Sequence, residues 1–138
     1  MMSKFCLFPG LILVAGCATT TPVDISESST QLESRQIQSR QYDTLDKALT
    51  MRSAVATLQD LGFTIDQADA ELGVITATRY DQYTMRMTVT VVQRPGEERV
   101  SVRANARIGE NAVTDAVTYQ DFFVALDKAM FLTLQRVD

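Results

Sequence analysis

Histidine and tryptophan are both absent from the 138 residues of this chain. Without an imidazole, the Ser-His-Asp and Cys-His catalytic arrangements are excluded, together with most zinc sites. The cysteines, Cys6 and Cys17, both lie near the amino terminus, which leaves the rest of the chain without a disulfide, an iron–sulfur cluster or a thiol nucleophile. The sequence therefore predicts a protein that is not an enzyme and that holds no cofactor and no metal.

Basic residues are in deficit, with 13 Lys and Arg against 17 Asp and Glu, for a net charge of −4. Binding to nucleic acid needs a clustered basic excess that can neutralise phosphates. Attraction to anionic lipid headgroups has the same requirement. We therefore expect no nucleic-acid partner and no polybasic contact with a membrane.

The first 16 residues have the pattern of a secretory signal peptide. Lys4 supplies the positive start, and FCLFPGLILV supplies a short apolar segment. A membrane-spanning helix needs about 20 apolar residues, more than this segment contains. Residues 1–16 are therefore predicted to be a removable leader.

The end of this leader, Val14-Ala15-Gly16-Cys17, resembles the lipobox of bacterial lipoproteins, with Val14 where leucine is commonest. The resemblance implies cleavage before Cys17, lipidation of its sulfur and acylation of its freed amine. Each buried CH₂ contributes about 0.8 kcal/mol, so several acyl chains would anchor the chain to a membrane. Ala18, where Asp would retain a lipoprotein at the inner membrane, implies the outer membrane with the domain facing the periplasm.

The remainder divides into a tether, residues 17–34, and a periplasmic α+β domain, residues 35–138. The tether is rich in Thr, Ser and acidic residues and poor in apolar ones, so we expect a flexible linker. The hydrophobic pattern of the domain changes between helical and strand periods in the order β-α-β-β-β-β-α. This order predicts a two-layer sandwich, an antiparallel sheet of about five strands with two helices on one face.

The predicted strands are 35–43, 63–65, 74–80, 83–92 and 99–108, and the predicted helices are 44–61 and 119–137. Asp43 or Thr44 is expected to cap the first helix, and Gly62 to end it in a Schellman motif. Thr118 with Asp121 is expected to form a capping box at the start of the second helix.

The two most regular strands flank Pro95-Gly96, which fits a turn with positive φ at its second central residue. Their apolar and polar residues alternate, so one face should be core and the other wet. If Arg94 faces Glu97, then Val91 lies opposite Val100. We predict this register, because a slip by one residue would mix the faces.

The order of elements resembles the helix-grip domains of the outer-membrane β-barrel assembly lipoprotein BamC. The segments LQDLGFTI (58–65), LGVI (72–75) and YQDFF (119–123), placed after a lipobox, are similar to a group of small, uncharacterised proteobacterial outer-membrane lipoproteins. The resemblance covers residues 35–138. Its motifs are structural, with Gly62 and Gly73 at turns, and it implies no catalytic residues. Topology alone does not establish function.

Arginines supply the first candidate binding surface. Arg86, Arg103 and Arg107, joined by Arg79, are expected on the polar face of the sheet. They could bind a carboxylate-bearing partner, either a peptidoglycan stem peptide or an acidic protein loop. The alternative is a solvated face that keeps the sheet soluble.

Phe131 and Leu132 lie off the main apolar face of the last helix. They either fill a wider core or form an exposed patch that docks a partner.

A third candidate group consists of acidic residues. Paired carboxylates can hydrolyse glycosides, and the alternative is that these are ordinary turn residues. Its members are Asp66, Asp69, Glu71 and Asp81.

Our favoured hypothesis is an outer-membrane lipoprotein whose periplasmic domain binds another envelope protein as an accessory or scaffold. The alternative is a binding module for cell-wall fragments or a small apolar ligand, and a hydrolase is third. A deep pocket between Phe122 and Leu126 on one side and Met85 and Met87 on the other would favour the apolar ligand. A filled core with exposed arginines or an exposed Phe131 would favour a protein partner.

Overall fold

A computed structural model describes Gly10 and residues 25–135 of the chain. Within this part there are three α-helices and a six-stranded antiparallel sheet. The helices are α1 (Ile25–Ile37), α2 (Lys47–Asp60) and α3 (Ala116–Gln135). The strands are β1 (Ser39–Tyr42), β2 (Thr64–Asp69), β3 (Val74–Tyr80), β4 (Thr84–Gln93), β5 (Val100–Ile108) and β6 (Asn111–Ala112). The leader, Cys17 and the first part of the tether lie outside the described residues.

The sheet has the strand order β1-β5-β4-β3-β2, and β6 also pairs with β5. Strand β5 therefore has β4 on one edge and both β1 and β6 on the other. All pairings are antiparallel. The predicted α+β class, with helices over one face of an antiparallel sheet, is confirmed.

The core lies between one face of the sheet and helices α2 and α3. Alternate residues of β4 and β5 point into it, and all of them are buried: Met85, Met87, Val89, Val91, Val100, Val102, Ala104 and Ala106. Helix α3 contributes Phe122, Phe123, Leu126 and Met130, as its periodicity predicts. Burying each large side chain contributes about 1.5–3 kcal/mol, so this face accounts for much of the stability.

The register of the central hairpin differs from the predicted one by two residues. Gln93 lies opposite Val100, and Val91 lies opposite Val102 rather than Val100. Since side chains alternate with a period of two, this slip leaves each one on its predicted face. The apolar alternation therefore cannot distinguish the two registers, and the prediction was wrong.

The turn itself has the expected geometry. The Glu97 amide donates to the Arg94 carbonyl at 3.1 Å, and Gly96 has a φ of +82°. Glu98 and Arg99 lengthen the connection before β5 begins. These additional residues shift the register, because they lie outside the pairing.

Helix α2 begins at Lys47, and its N-cap is Asp46, whose carboxylate accepts the Leu49 amide at 2.8 Å. The prediction that Asp43 or Thr44 caps this helix is wrong. The Thr44 hydroxyl instead accepts the Asp46 amide, so Thr44 shapes the approach to the helix.

The predicted end of α2 is confirmed. The Phe63 amide donates to the Leu58 carbonyl at 2.9 Å, and the Gly62 amide donates to the Gln59 carbonyl at 3.0 Å. These two bonds define a Schellman motif. Gly62 has a φ of +86°, a conformation that other residues adopt at a cost.

Helix α3 begins earlier than predicted, and the expected capping box of Thr118 and Asp121 is absent. Asp115 accepts the amide and the hydroxyl of Thr118 and the amide of Val117. These hydrogen bonds, the Thr118 amide first, lower the pKa of the Asp115 carboxyl. The expected polar loop before α3 also contains the short strand β6.

The first described helix, α1, occupies residues that were expected to form the end of the tether and the start of a strand. Strand β1 consequently begins at Ser39, and the predicted strand 35–43 is wrong in its first half. The segment contains Glu, Gln, Leu and Arg, which favour helices. Its last residue, Ile37, packs against the core, and α1 contacts both β1 and α3.

Candidate functional site

The second face of the sheet is covered by neither α2 nor α3, and we call it the open face. Strand alternation places polar side chains on it, in contrast to the core face. Its members on β4 and β5 are Thr84, Arg86, Thr88, Thr90, Val92, Ser101, Arg103, Asn105 and Arg107. Ser39 and Gln41 of β1 continue it, through their pairing with Arg103 and Ser101.

The predicted arginines on the open face form two groups. Arg86 and Arg107 lie directly opposite each other on β4 and β5. Arg103 lies opposite Thr90 on one side and Ser39 on the other. A strand rises about 3.3 Å per residue, so Arg103 is well over 10 Å along β5 from Arg107. The three side chains therefore mark opposite ends of the face.

Arg79, which was expected to join them, points to the core side. It lies opposite Met85 across the β3–β4 pair and donates to the Met85 sulfur at 3.9 Å. Its guanidinium carbon is 5.0 Å from the centre of the Phe63 ring, a cation–π contact. That expectation was wrong because Arg79 occupies an apolar position near the end of its strand.

At the Arg86–Arg107 end, an acidic neighbour reduces the positive charge. Arg107 donates to the Glu110 carbonyl at 2.6 Å and pairs with the Glu110 carboxylate at 3.7 Å. A hollow of about 450 Å³ lies here, lined also by Thr84 and Gly109.

At the Arg103 end, α1 and the open face enclose a larger hollow of about 750 Å³, which we call the cationic groove. Four basic residues line it: Arg35 of α1, Arg40 of β1, Arg94 after β4 and Arg103 of β5. No aspartate or glutamate lines it. In a chain with a net charge of −4, this groove is a local reversal of sign.

Two of the four arginines already have acidic partners. Arg40 forms an ion pair with Asp127 of α3, and Arg94 lies 3.5 Å from Glu97. Arg35 and Arg103 have no ion pair or hydrogen bond through their side chains within the described part of the chain. These two guanidiniums are the ones available to an incoming anion.

Arg40 is also held by its surroundings. Its guanidinium carbon lies 5.0 Å from the centre of the Phe123 ring, and Tyr42 donates a hydrogen bond to the same Asp127 at 2.7 Å. Burial, reinforced by the Asp127 carboxylate, raises the pKa of the Tyr42 phenol far above its ordinary value. The Arg40 side chain therefore lies on the core side of β1, opposite Val102 and fastened to Tyr42 and α3, and does not contribute its charge to the open face.

Phe131 and Leu132 are 60% and 50% exposed, so they do not fill the core. Phe131 shares its side of α3 with Val124 and Val117, seven residues apart, and both are also exposed. This outer stripe of α3 is the second candidate contact surface. The side chain of Leu134, which was expected on the buried face, lies outside the described residues.

Two of the four acidic candidates, Asp66 and Asp69, have local structural roles. Asp66, at a β-bulge in β2, accepts the hydroxyl of Thr78 at 2.6 Å. Asp69 accepts the Leu72 amide at 2.9 Å in the following turn. Among the described residues, no cluster of three or more carboxylate, cysteine or histidine side chains is placed to hold a metal ion.

The space that an apolar ligand would need, under the alternative hypothesis, is occupied by side chains. Phe122, Leu126, Met85 and Met87 are all at most 2% exposed and belong to one continuous core. The pocket that would have favoured an apolar ligand is therefore absent from the described structure.

Sequence reasoning missed the contribution of α1. Leu32, Arg35 and Gln36 are three and four residues apart, a spacing that places side chains on one side of a helix. That spacing could have indicated a helix with a basic edge. The low apolar content of the segment favoured a linker instead.

No protein-family model matches this chain. No curated protein is significantly similar to it either. In the part of the chain that the structure describes, no helix has both the length and the apolar character needed to cross a membrane.

Proposed function

We propose that this chain is a non-catalytic outer-membrane lipoprotein whose periplasmic domain binds another envelope protein, as an accessory or scaffold module. The contact surface is the open face, centred on the cationic groove. The observation that supports this most is that Arg35 and Arg103 line a groove without acidic residues in its lining and have no ion pair with any residue that the structure describes.

The anchor in this proposal is supported by sequence alone. A basic start, a short apolar segment and the Val14–Cys17 motif together resemble a lipoprotein leader. Lipid on Cys17 would hold the groove near a membrane surface, where partners in the same membrane are concentrated. Replacing Cys17 by Ala is expected to release the chain from the outer-membrane fraction. Retention of the variant there would contradict the anchor.

The filled core supports a surface contact over an enclosed ligand. Phe122, Leu126, Met85 and Met87 leave no room for a small apolar molecule between sheet and helix.

A second candidate function is the binding of carboxylate-bearing cell-wall fragments. The groove volume of about 750 Å³ favours it, because that volume lies within the usual range for ligand pockets.

Photo-crosslinking in cells tests the proposal. A photoreactive residue at Ser101, which lines the groove, is expected to capture an envelope protein, and Arg103→Glu should abolish the capture. The control carries the photoreactive residue in place of Arg52, an exposed position on α2, and should capture nothing.

Two other outcomes are informative. Capture of glycan strands from Ser101 would support the cell-wall candidate instead. A protein captured from Phe131, and not from Ser101, would move the contact to the outer stripe of α3. Capture from neither position would contradict a protein-binding function.

A further inference from the structure

We infer that the cationic groove recognises an extended acidic peptide segment of its partner, whose carboxylates pair with Arg35 and Arg103. This inference rests on the proposed protein-binding function and adds the chemistry of what is bound. It concerns one end of the open face and not the Arg86–Arg107 end.

The first argument is charge complementarity. Arg35 and Arg103 approach the groove from different elements, α1 and β5, and no carboxylate lines the space between them. A guanidinium binds a carboxylate through two parallel hydrogen bonds, and clusters of arginine are a recurrent means of recognising acidic motifs. The net charge of −4 for the whole chain would repel an acidic peptide elsewhere, which favours binding at this groove.

The second argument is the chemistry between the arginines. Ser101, Thr90 and Asn105 line the sheet side, and Gln36 lines the α1 side. These side chains can donate hydrogen bonds to and accept them from the backbone of a peptide. A simple inorganic anion has no such backbone groups. Val92 and Leu32, both exposed at the groove, add apolar contact for a side chain or an aliphatic stem. The combination fits a peptide better than a free phosphate.

The third argument is the contrast with the other end. Arg107 is engaged by Glu110, so an acidic peptide there would have to compete with a carboxylate of the chain itself. At the groove, Arg94 is paired with Glu97, which lies outside the lining. An incoming carboxylate there meets Arg35 and Arg103, two guanidiniums with no acidic partner among the described residues.

The test is a titration of the full chain, purified in a neutral detergent, with a dye-labelled oligoglutamate followed by fluorescence anisotropy. Saturable binding is expected at low salt, weakening strongly once the ionic strength exceeds about 0.1 M, because the contacts are exposed ion pairs. Arg103→Glu and Arg35→Glu should each weaken binding by about tenfold, since each reversal replaces attraction by repulsion.

Arg52→Glu is the matched control, because it makes the same charge change on α2, on the far side of the sheet. It should bind as the unmodified chain does. A labelled oligoglutamine should not bind. Pyrophosphate should compete only weakly.

Any one of the following binding results would overturn the inference. They are equal binding of oligoglutamine, equally tight binding of pyrophosphate, and an equal loss of binding in Arg52→Glu and Arg103→Glu. Absence of oligoglutamate binding would also overturn it. In that case, capture of an envelope protein from Ser101 in cells would leave the proposed function standing, so the two failures are distinguishable.

Discussion

The core face and the open face of the sheet are built from the same two strands, β4 and β5, whose successive residues point to opposite faces. On the core face, the alternate side chains from Met85 to Val91 and from Val100 to Ala106 are apolar and buried in one core with residues of α2 and α3. On the open face, threonines and arginines alternate with the core residues, and two arginines stand directly opposite each other. One strand pair thus has one face that follows the requirements of packing and one that does not.

This difference separates residues kept for stability from residues available for binding. An apolar side chain on the core face stabilises the fold through removal of its surface from water. Arg86 opposite Arg107 has no such benefit, because like charges directly across a strand pair are destabilising. Polar residues such as threonine would keep the open face soluble without that cost. The arginines therefore point to a requirement other than folding.

The largest expected effect comes from placing the same charge on each face in turn. Val89 is fully buried at the centre of β4, so Val89→Asp would bury an unpaired carboxylate. We expect this variant to lose its cooperative thermal transition, as monitored by circular dichroism.

Thr88→Asp is the matched control, one residue away and on the open face. It should unfold cooperatively, with a free energy of unfolding lowered by about 1 kcal/mol from the poor strand propensity of aspartate. Comparable unfolding of the two variants would contradict the assignment of the faces.

A smaller effect is expected from the removal of a hydroxyl group on the core side, where polar groups need hydrogen-bond partners within the protein. The Tyr119 hydroxyl donates to the Val113 carbonyl at 2.6 Å and accepts from the Ala106 amide at 3.1 Å and the Gln38 amide group at 3.2 Å. It thereby joins α3 to β5 and to the residue before β1. Tyr119→Phe should lower the free energy of unfolding by about 1–3 kcal/mol, because it leaves buried groups unsatisfied.

The control is Tyr83→Phe, which removes the same oxygen from a half-exposed side chain. Water replaces any partner there, so urea unfolding should show a change within about 0.5 kcal/mol. If both phenylalanine variants lost stability equally, the network around Tyr119 would have no special role.

The alternation of the strands made the core face predictable from sequence. Every apolar position assigned to the centre of β4 and β5, from Met85 to Val102, is buried. The register was not predictable, because a slip of two residues preserves the faces, and the extra Glu98 and Arg99 decide between the two registers. Local pattern determines which face a side chain is on, whereas loop length determines which residue it meets.

The candidate site was predictable only in part, for a related reason. Arg103 was placed on the correct face by alternation alone. Its companion Arg35 comes from α1, a helix that has few apolar residues and so gives a weak pattern. The groove depends on how α1 lies beside β1 and the open face, which is a tertiary feature. Neither arginine by itself indicates a groove without acidic residues.

The smallest expected effect is an increase in the free energy of unfolding, and it tests whether the paired arginines of the open face lower the stability of the fold. Arg86→Glu converts the Arg86–Arg107 pair, two residues directly opposite each other, into a pair of opposite charges. The free energy of unfolding should rise by about 0.2–1 kcal/mol in low salt, with the gain reduced as salt screens it. Chemical denaturation at two ionic strengths measures both quantities.

The double variant Arg86→Glu with Arg107→Glu restores like charges and serves as the control. It should lose the gain, since the benefit depends on the pairing and not on the removal of Arg86. Its free energy of unfolding should fall below that of the unmodified chain, because Glu110 would then lie beside a new carboxylate in place of its arginine partner. If Arg86→Glu destabilised the chain, the two arginines would have a role in folding, and the separation between a stabilising face and a binding face would fail at that end of the sheet.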